Sequence, residues 1–570
     1  MAEGPLAALD AAQREAAETL RGPVCILAGA GTGKTRVITH RIAHGVDTGA
    51  YTPSRVMAVT FTTKAAGEMR GRLRTLGVSG VAARTFHAAA LAQLNFFWPQ
   101  VAGDSAPAIV DSKLRLLSQA ADAARVRVDG ATLRDIAARI ERRKVAMRTV
   151  EEDAADRPQG IGGVDLPALV DLQHAYERLK DERRQIDFED VLLACAGMLE
   201  SEPRVAAAVH EQYRHFTVDE FQDVSPVQNH LLELWRGDRA DVCVVGDVSQ
   251  TVYSFAGADP RFLRDFAQRH PDARVVRLER NYRSDPSVLA AANALMRDQP
   301  GALTLTSDSP AGAKPVVHAY PDDSAEAAGV AAAVAGQIAA GTDPRQIAVL
   351  YRAHAQSAAV LSALAARGIP ASVLGGTRFF DLPEVRQALL ALRAASVAPV
   401  EGGFVDAVRD VLRSLGFTEQ APPAGGALRD AWEARAALLR LAEEAPPSTT
   451  LRQFTDTLRA RAKDHHEPSM RTVTVATLHA AKGLEWDEVH LVGLSEGLLP
   501  IGYATSLDAV AEERRLAYVG ITRAARSVRL SWSRTGGPRE RLPSRFLREL
   551  GTSIADAGDG PARRDATSSR

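Results

Sequence analysis

Lys34 and Thr35 close the run Ala28-Gly29-Ala30-Gly31-Thr32-Gly33-Lys34-Thr35, a set of residue types and spacings that can hold the phosphates of a nucleotide. Gly29, Gly31 and Gly33 let backbone N–H groups turn inward onto phosphate oxygens, Lys34 can reach the β- and γ-phosphates, and Thr35 can offer its hydroxyl to Mg2+. The strict form of such a loop begins with Gly, where this chain has Ala28. Farther along, the apolar run Phe216-Thr217-Val218 delivers Asp219 and Glu220. Two acids ending a strand mean little alone. Downstream of a phosphate loop they supply the other half of nucleotide hydrolysis, with Asp219 in the Mg2+ shell and Glu220 orienting and deprotonating the attacking water. Another apolar run, Val242 to Val245, leads to Gln250, which could sense a γ-phosphate, and then to Tyr253 and Phe255, which could stack on bases. For an aromatic pair taken alone, core packing is the better reading.

These residues need elements to position them. Val24 to Leu27 suits a buried strand of a parallel sheet, and Val37, Ile38 and Ile42 recur at helical spacing after the loop. Asp10 is a candidate N-cap for a helix that precedes the strand. A second strand, Val56 to Thr60, runs into Phe61-Thr62-Thr63-Lys64, and Arg84-Thr85-Phe86-His87 repeats the arrangement. Aromatic, hydroxyl and basic residues at the carboxyl end of a strand are where an α/β sheet meets its ligand. From about 95 to 185 the pattern changes to Ala-, Leu- and Arg-rich helical segments, read as an insertion. The core resumes at Ile186-Asp187-Phe188-Glu189-Asp190.

The chain has 570 residues, enough for about three to five structural units. Hydrophobic residues make up 46% and charged residues 24%, which is ordinary for a soluble globular protein. The net charge of −1 says nothing about nucleic acid, but residues 511 to 550 hold ten Arg against four acids, which alone reads as a solvated helix face. Cys25, Cys195 and Cys243 have no metal spacing and fit a reducing, cytoplasmic setting. No apolar run is long enough to span a membrane, and the N-terminus carries Glu3 and Asp10 rather than an export signal.

Taken in order, the motifs resemble those of the UvrD/PcrA/Rep family of superfamily 1 DNA helicases from Leu9 to about Leu550. The matching stretches include Leu9 to Gln13, the phosphate loop, Phe61 to Met69, Val218 to Gln228, Val245 to Ala258 and Leu278 to Ser284. They continue through Ala348 to Arg352, Gly375 to Phe380, Thr477 to Trp486 and Glu512 to Ala524. The resemblance implies an α/β P-loop fold with two RecA-like parallel-sheet domains facing each other across ATP, each interrupted by a helical insertion. It also implies roles. Gln13 would read the adenine edge, Tyr282 would stack on the base, Arg36 would lie alongside the nucleotide and Glu485 would contact the ribose. Arg283 and Arg523 would reach the γ-phosphate, where charge builds during phosphoryl transfer. Phe61, His87, Phe188, Tyr253 and Phe255 would line a single-strand track. The implied activity is ATP- and Mg2+-dependent movement 3′ to 5′ along single-stranded DNA, with unwinding of 3′-tailed duplex in DNA repair or recombination, alongside proteins of those pathways. A translocase that strips bound proteins and unwinds poorly, or a DNA-stimulated ATP switch acting through a partner, are the rivals.

Some positions depart from the family pattern. Val248-Ser249 stands where an acidic run is usual, and Phe255-Ala256 where Trp and Arg are usual, so stacking survives while a local ion-pair network is lost. The expected domains are a first core over 1–94 and 186–272 with its insertion over 95–185, and a second core over 273–386 and 468–550 with a reduced insertion over 387–467. A polar, disordered tail is expected over 551–570. Because the second insertion is short, with few aromatics (Phe404, Phe417, Trp432, Phe454) and its Arg mixed with acids, a monomer is expected to travel well but open long duplex weakly without a partner or second copy.

Overall fold

The computed structural model describes residues 4–374, 380, 382–396, 403–420, 427–443, 445–446, 448–463, 471–536 and 540–556. The chain forms two compact units: residues 1–282 with 299–305, and residues 283–298 with 306–570.

The first unit is built on six strands: β1 (Val24–Ala28), β2 (Val56–Thr60), β3 (Ala82–Thr85), β6 (His215–Val218), β7 (Val242–Gly246) and β8 (Arg274–Leu278), with the small pair β4 (Ala108–Ile109) and β5 (Gln185–Ile186) lying between β3 and β6 in the chain. The sheet order is β3-β2-β6-β7-β1-β8, with every neighbouring pair parallel. Alternation along the strands explains why the sheet is buried on both faces. Cys25, Met57, Val59, Phe216, Val218, Val242 and Val244 enter one apolar cluster. Val24, Ile26, Val56, Ala58, Cys243 and Val245 enter another. Each fully buried Val or Ile contributes roughly 1.5–3 kcal/mol. With both faces covered, the carboxyl ends of the strands are where side chains can meet a ligand.

Helix α1 (Ala11–Glu18) precedes β1, and α2 (Lys34–Asp47), α3 (Thr63–Thr75) and α4 (Phe86–Ala102) follow β1, β2 and β3. Asp10 caps α1 as expected, in a reciprocal capping box with Gln13. The first insertion carries α5 (Lys113–Ala123), α6 (Gly130–Val145), α7 (Val150–Asp156) and α8 (Leu166–Glu182), and α9 (Asp190–Ser201) returns to the core. The expected break at residue 94 falls inside α4, because Leu94 and Phe97 continue its buried face in the core cluster. The first unit also extends past the expected boundary at 272: β8 pairs with β1, from Val24–Arg274 to Ala28–Leu278.

The second unit holds β9 (Val316–Asp322), β10 (Ile347–Tyr351), β11 (Ala371–Val373), β12 (Val473–Thr477), β13 (Trp486–Leu491), β14 (Ala524–Thr535) and β15 (Ala555–Asp556). Their order is β11-β12-β10-β13-β14-β9-β15, again all parallel. β15 pairs with β9, so residues 551–556, expected in a disordered tail, include a sheet edge; residues 557–570 lie outside the described residues. In the reduced insertion, helices Pro383–Ala395, Phe404–Ser414, Ala427–Glu443 and Leu451–Lys463 share one apolar cluster that includes Val385, Leu392, Leu412, Leu438 and Leu458. The helix that opens this cluster starts at 383, ahead of the expected 387. The insertion's aromatics pack on each other, Phe404 against Phe454 at 5.3 Å and Phe417 against Trp432 at 5.5 Å. Among the described residues no helix is long and apolar enough to cross a membrane.

Candidate functional site

Most candidate residues of the first unit leave the carboxyl end of a strand of one sheet or the segment just beyond it; Gln13 lies in α1 ahead of that sheet, and Phe188 follows β5 of the small pair. The phosphate loop follows β1, Phe61 follows β2, His87 follows β3, Asp219 and Glu220 follow β6, Gln250 and Tyr253 follow β7, and Tyr282 follows β8. The sheet order therefore converts motifs scattered over more than two hundred residues into neighbours.

The loop is held by its carbonyls. Asn281 Nδ2 donates to Ala30 O at 2.6 Å, Tyr282 N–H to Gly31 O at 2.9 Å and Gln13 Nε2 to Thr32 O at 3.0 Å. Gly31 and Gly33 have φ of +68° and +83°, the left-handed conformation that turns successive N–H groups toward the concave side of a loop. Helix α2 starts at Lys34 with Gly33 as N-cap and no side-chain cap, so its first N–H groups and its dipole suit an anion. Lys34 Nζ folds back on Ala28 O at 3.2 Å. These features fit a nucleotide's phosphates.

Asp219 is buried, and burial followed by the Glu220 charge pushes its carboxyl up to about 7, with Lys34 opposing. A buried Asp219 beside a half-buried Glu220 fits a divalent cation, with Thr35 at the start of α2 as a hydroxyl donor. Among the described residues no cluster of three His, Cys, Asp or Glu side chains could hold a metal. That is compatible with Mg2+, which uses one or two carboxylates together with substrate phosphates and water. Glu220 sits at φ +53°, unusual for a side-chain-bearing residue.

Gln222 is a residue that the sequence reading assigned no role. Fully buried, it donates through Nε2 to Glu220 Oε2 at 2.5 Å and to Asp223 Oδ2 at 3.2 Å, while its Oε1 accepts the Asp247 N–H at 3.0 Å. Asp247 Oδ2 in turn accepts from Gln250 Nε2 at 2.7 Å. One amide thus links the acids beyond β6 to the segment beyond β7 that carries Gln250. Gly246 permits the approach, since a Cβ there would lie 2.3 Å from Gln222 Oε1. Asn281 is a second residue without an earlier role. No local signal reveals either, because both act through contacts between strands remote in sequence.

The other nucleotide candidates are engaged within their own units. Gln13 is buried between its capping box and the loop. Arg36 donates to Ala8 O at 2.5 Å, and the half-exposed Tyr282 donates to Asp10 and lies under Arg280 at 5.3 Å. In the second unit Arg283 pairs with Glu485 at 2.5 Å. Arg523 is buried, donating to Val519 O at 3.0 Å and Leu484 O at 3.1 Å, and Trp486 N–H donates to Arg523 O at 3.0 Å. Ser284 Oγ donates to Ala524 O at 2.7 Å, so Arg283, Glu485 and Arg523 gather at the amino ends of β13 and β14. The Arg-rich stretch after 511 is largely paired, as in Arg514–Glu549, Arg545–Glu496 and Arg541–Asp323.

The five track aromatics all lie in the first unit and come together in two groups. Phe61 stacks on Tyr253 at 5.5 Å and 11°, with Phe255 edge-on to Tyr253 at 6.0 Å, and His87 stacks on Phe188 at 3.8 Å and 11°. Phe61, Phe188 and Phe255 are 41%, 54% and 59% exposed, which excludes core packing as the reason for those three. Burial pushes the His87 imidazole down to about 4, so a neutral ring stacks on Phe188 at ordinary pH.

Residues 9–271 match the UvrD/REP helicase N-terminal domain, and residues 276–396 and 433–535 match the UvrD-like helicase C-terminal domain. The chain belongs to the UvrD/Rep helicase family. It is 45% identical to the ATP-dependent DNA helicase UvrD2 of Mycobacterium tuberculosis, over 99% of this chain and 85% of that protein. It is 30% identical to the ATP-dependent DNA helicase Rep of Escherichia coli, over 95% of this chain and 94% of Rep, and 30% identical to DNA helicase II of the same organism, over 96% and 88%. Residues 397–432, in the reduced second insertion, fall between the two parts of the C-terminal match.

Proposed function

We propose that this chain, an ATP-dependent DNA helicase of the UvrD/Rep type, moves 3′ to 5′ along single-stranded DNA, serving repair or recombination in the cytoplasm. The observation that supports this reading best is the sharing of one sheet edge by a phosphate loop, an acid pair and exposed, stacked aromatic rings. Ring stacking tolerates any base, as travel along a strand requires.

In this reading ATP with Mg2+ supplies the phosphoryl bond whose hydrolysis powers the cycle. Lys34 and the loop N–H groups neutralise phosphate charge, and Thr35 and Asp219 hold the metal. Glu220 takes the proton of the attacking water, with Gln250 near the reacting end. Arg283 and Arg523 stabilise the charge of the transferring group. Gln13, Arg36, Tyr282 and Glu485 bind the nucleoside portion, with Arg36 and Glu485 exchanging the partners they hold here. The reduced second insertion packs its aromatics inward, which favours a monomer that travels well and opens long duplex weakly.

Tyr253→Ala and Phe255→Ala test the track. Each ring that stacks on a base should contribute about 1–3 kcal/mol of single-strand affinity. Titrations at one salt concentration, beside thermal unfolding of each variant, decide the point: melting without an affinity defect in the folded fraction would contradict the assignment.

A further inference from the structure

We propose that Lys113, Lys144 and Lys180, one from each of three helices of the first insertion, are positioning residues for Phe188, and that through them the insertion sets how the first unit grips a single strand. The inference rests on the reading of Phe188 as a strand contact.

Phe188 lies in the tetrapeptide Asp187-Phe188-Glu189-Asp190, and each acid of that tetrapeptide is paired with a lysine of the insertion. Lys144 of α6, 3% exposed, places its Nζ 2.7 Å from both Asp187 Oδ2 and Asp190 Oδ1. Lys180 of α8 reaches Asp190 Oδ2 as well, and Lys113 of α5 reaches Glu189 Oε2. Glu177 and Glu141 complete the network, at 3.1 Å from Lys144 and 3.0 Å from Lys113. Tyr176 donates its hydroxyl to Asp187 at 3.1 Å. Within the turn, Asp187 N–H donates to Asp190 and Asp190 N–H to Asp187, both at 3.0 Å.

Buried charges are costly to leave unpaired, so the backbone on either side of Phe188 is tied to the positions of α5, α6 and α8. The ring itself is more than half exposed, so core burial does not fix it; its support is His87 on one side and the anchored backbone beneath. Burial opposes the Asp187 charge, yet Lys144, Lys180 and Lys113 together hold its carboxyl below the usual carboxylate range. Any shift of the insertion that moves these lysines also moves Phe188 relative to His87.

The test is a double-mutant cycle on the full chain, reading affinity for a fluorescent single-stranded oligonucleotide at one salt concentration. Phe188→Ala should weaken binding by about 5- to 150-fold, the affinity equivalent of one stacking contact. Lys113→Met and Lys144→Met should each reproduce a several-fold part of that loss. In the Phe188→Ala background the same lysine substitutions should change affinity by less than about twofold. Lys113, at the rim of the network with 16% of its side chain exposed, carries the test if Lys144→Met does not yield folded protein. Equal losses in both backgrounds, or no loss when Phe188 is present, would overturn the proposal. Wild-type binding by Phe188→Ala would instead remove the strand contact on which the proposal rests.

Discussion

Gln222 holds the Glu220 carboxylate at 2.5 Å while its own oxygen accepts the Asp247 N–H at 3.0 Å. A donor on an ionised carboxylate favours the charged form, the form a general base needs. Gln222→Leu keeps the volume and removes the donor. It should lower DNA-stimulated ATP turnover by about 10²-fold, on the scale of losing one positioned polar group in an active site. The acid limb of the pH–rate profile should move to higher pH. An unshifted limb, with a lower rate, would assign Gln222 to packing alone.

Asp219 gives a pH dependence whose sign follows from its raised carboxyl. Between 3.8 and about 7 the folded, nucleotide-free chain holds a proton there that the unfolded chain has released. Stability from this group therefore falls as pH rises through that window. Mg2+ competes with the same proton, so Mg2+-nucleotide affinity should fall by about tenfold per pH unit below 7 and level off above it. Calorimetry of Mg2+-nucleotide binding in buffers of different ionisation enthalpy should report proton release near pH 6.5, lost in Asp219→Asn.

Arg283 and Arg523 should separate by their surroundings. Arg283 pairs with exposed Glu485, whereas Arg523 is buried on backbone carbonyls. Either Arg→Ala should cut hydrolysis by on the order of 10³ with a smaller effect on nucleotide affinity. Arg523→Ala should also lower folding stability by about 2 kcal/mol, the scale of hydrogen bonds to a charged group left unmade. Turnover, nucleotide affinity and thermal unfolding of both variants check this. A pure affinity loss would argue against a role in phosphoryl transfer.

How much was legible in the sequence follows from how local each signal is. The phosphate loop, Asp10 and the strand before Asp219 declare themselves through residue type, capping and apolar runs, and the structure forms strands and helices there. Contacts that depend on which strands lie side by side are not written locally. Gln222 meets Asp247 only because β6 and β7 are neighbours, and Asn281 meets Ala30 only because β8 lies beside β1. For the same reason β8 looked like the start of the second core. β15 has two residues, too few to show any period, and α4 hid the insertion boundary because its apolar spacing runs on through Phe97. The exposure of Phe61, Phe188 and Phe255, which separates a track from a core, is visible only once the sheet is assembled.

Strand displacement by the full chain on otherwise identical duplexes carrying a 3′ or a 5′ single-stranded tail tests the central claim most directly, with ATP, Mg2+ and Lys34→Ala as the hydrolysis-deficient control. The account predicts ATP-dependent displacement from the 3′-tailed duplex, declining steeply as the duplex lengthens, with none from the 5′-tailed one and none by Lys34→Ala. Displacement that favours the 5′ tail, or that persists in Lys34→Ala, would contradict it.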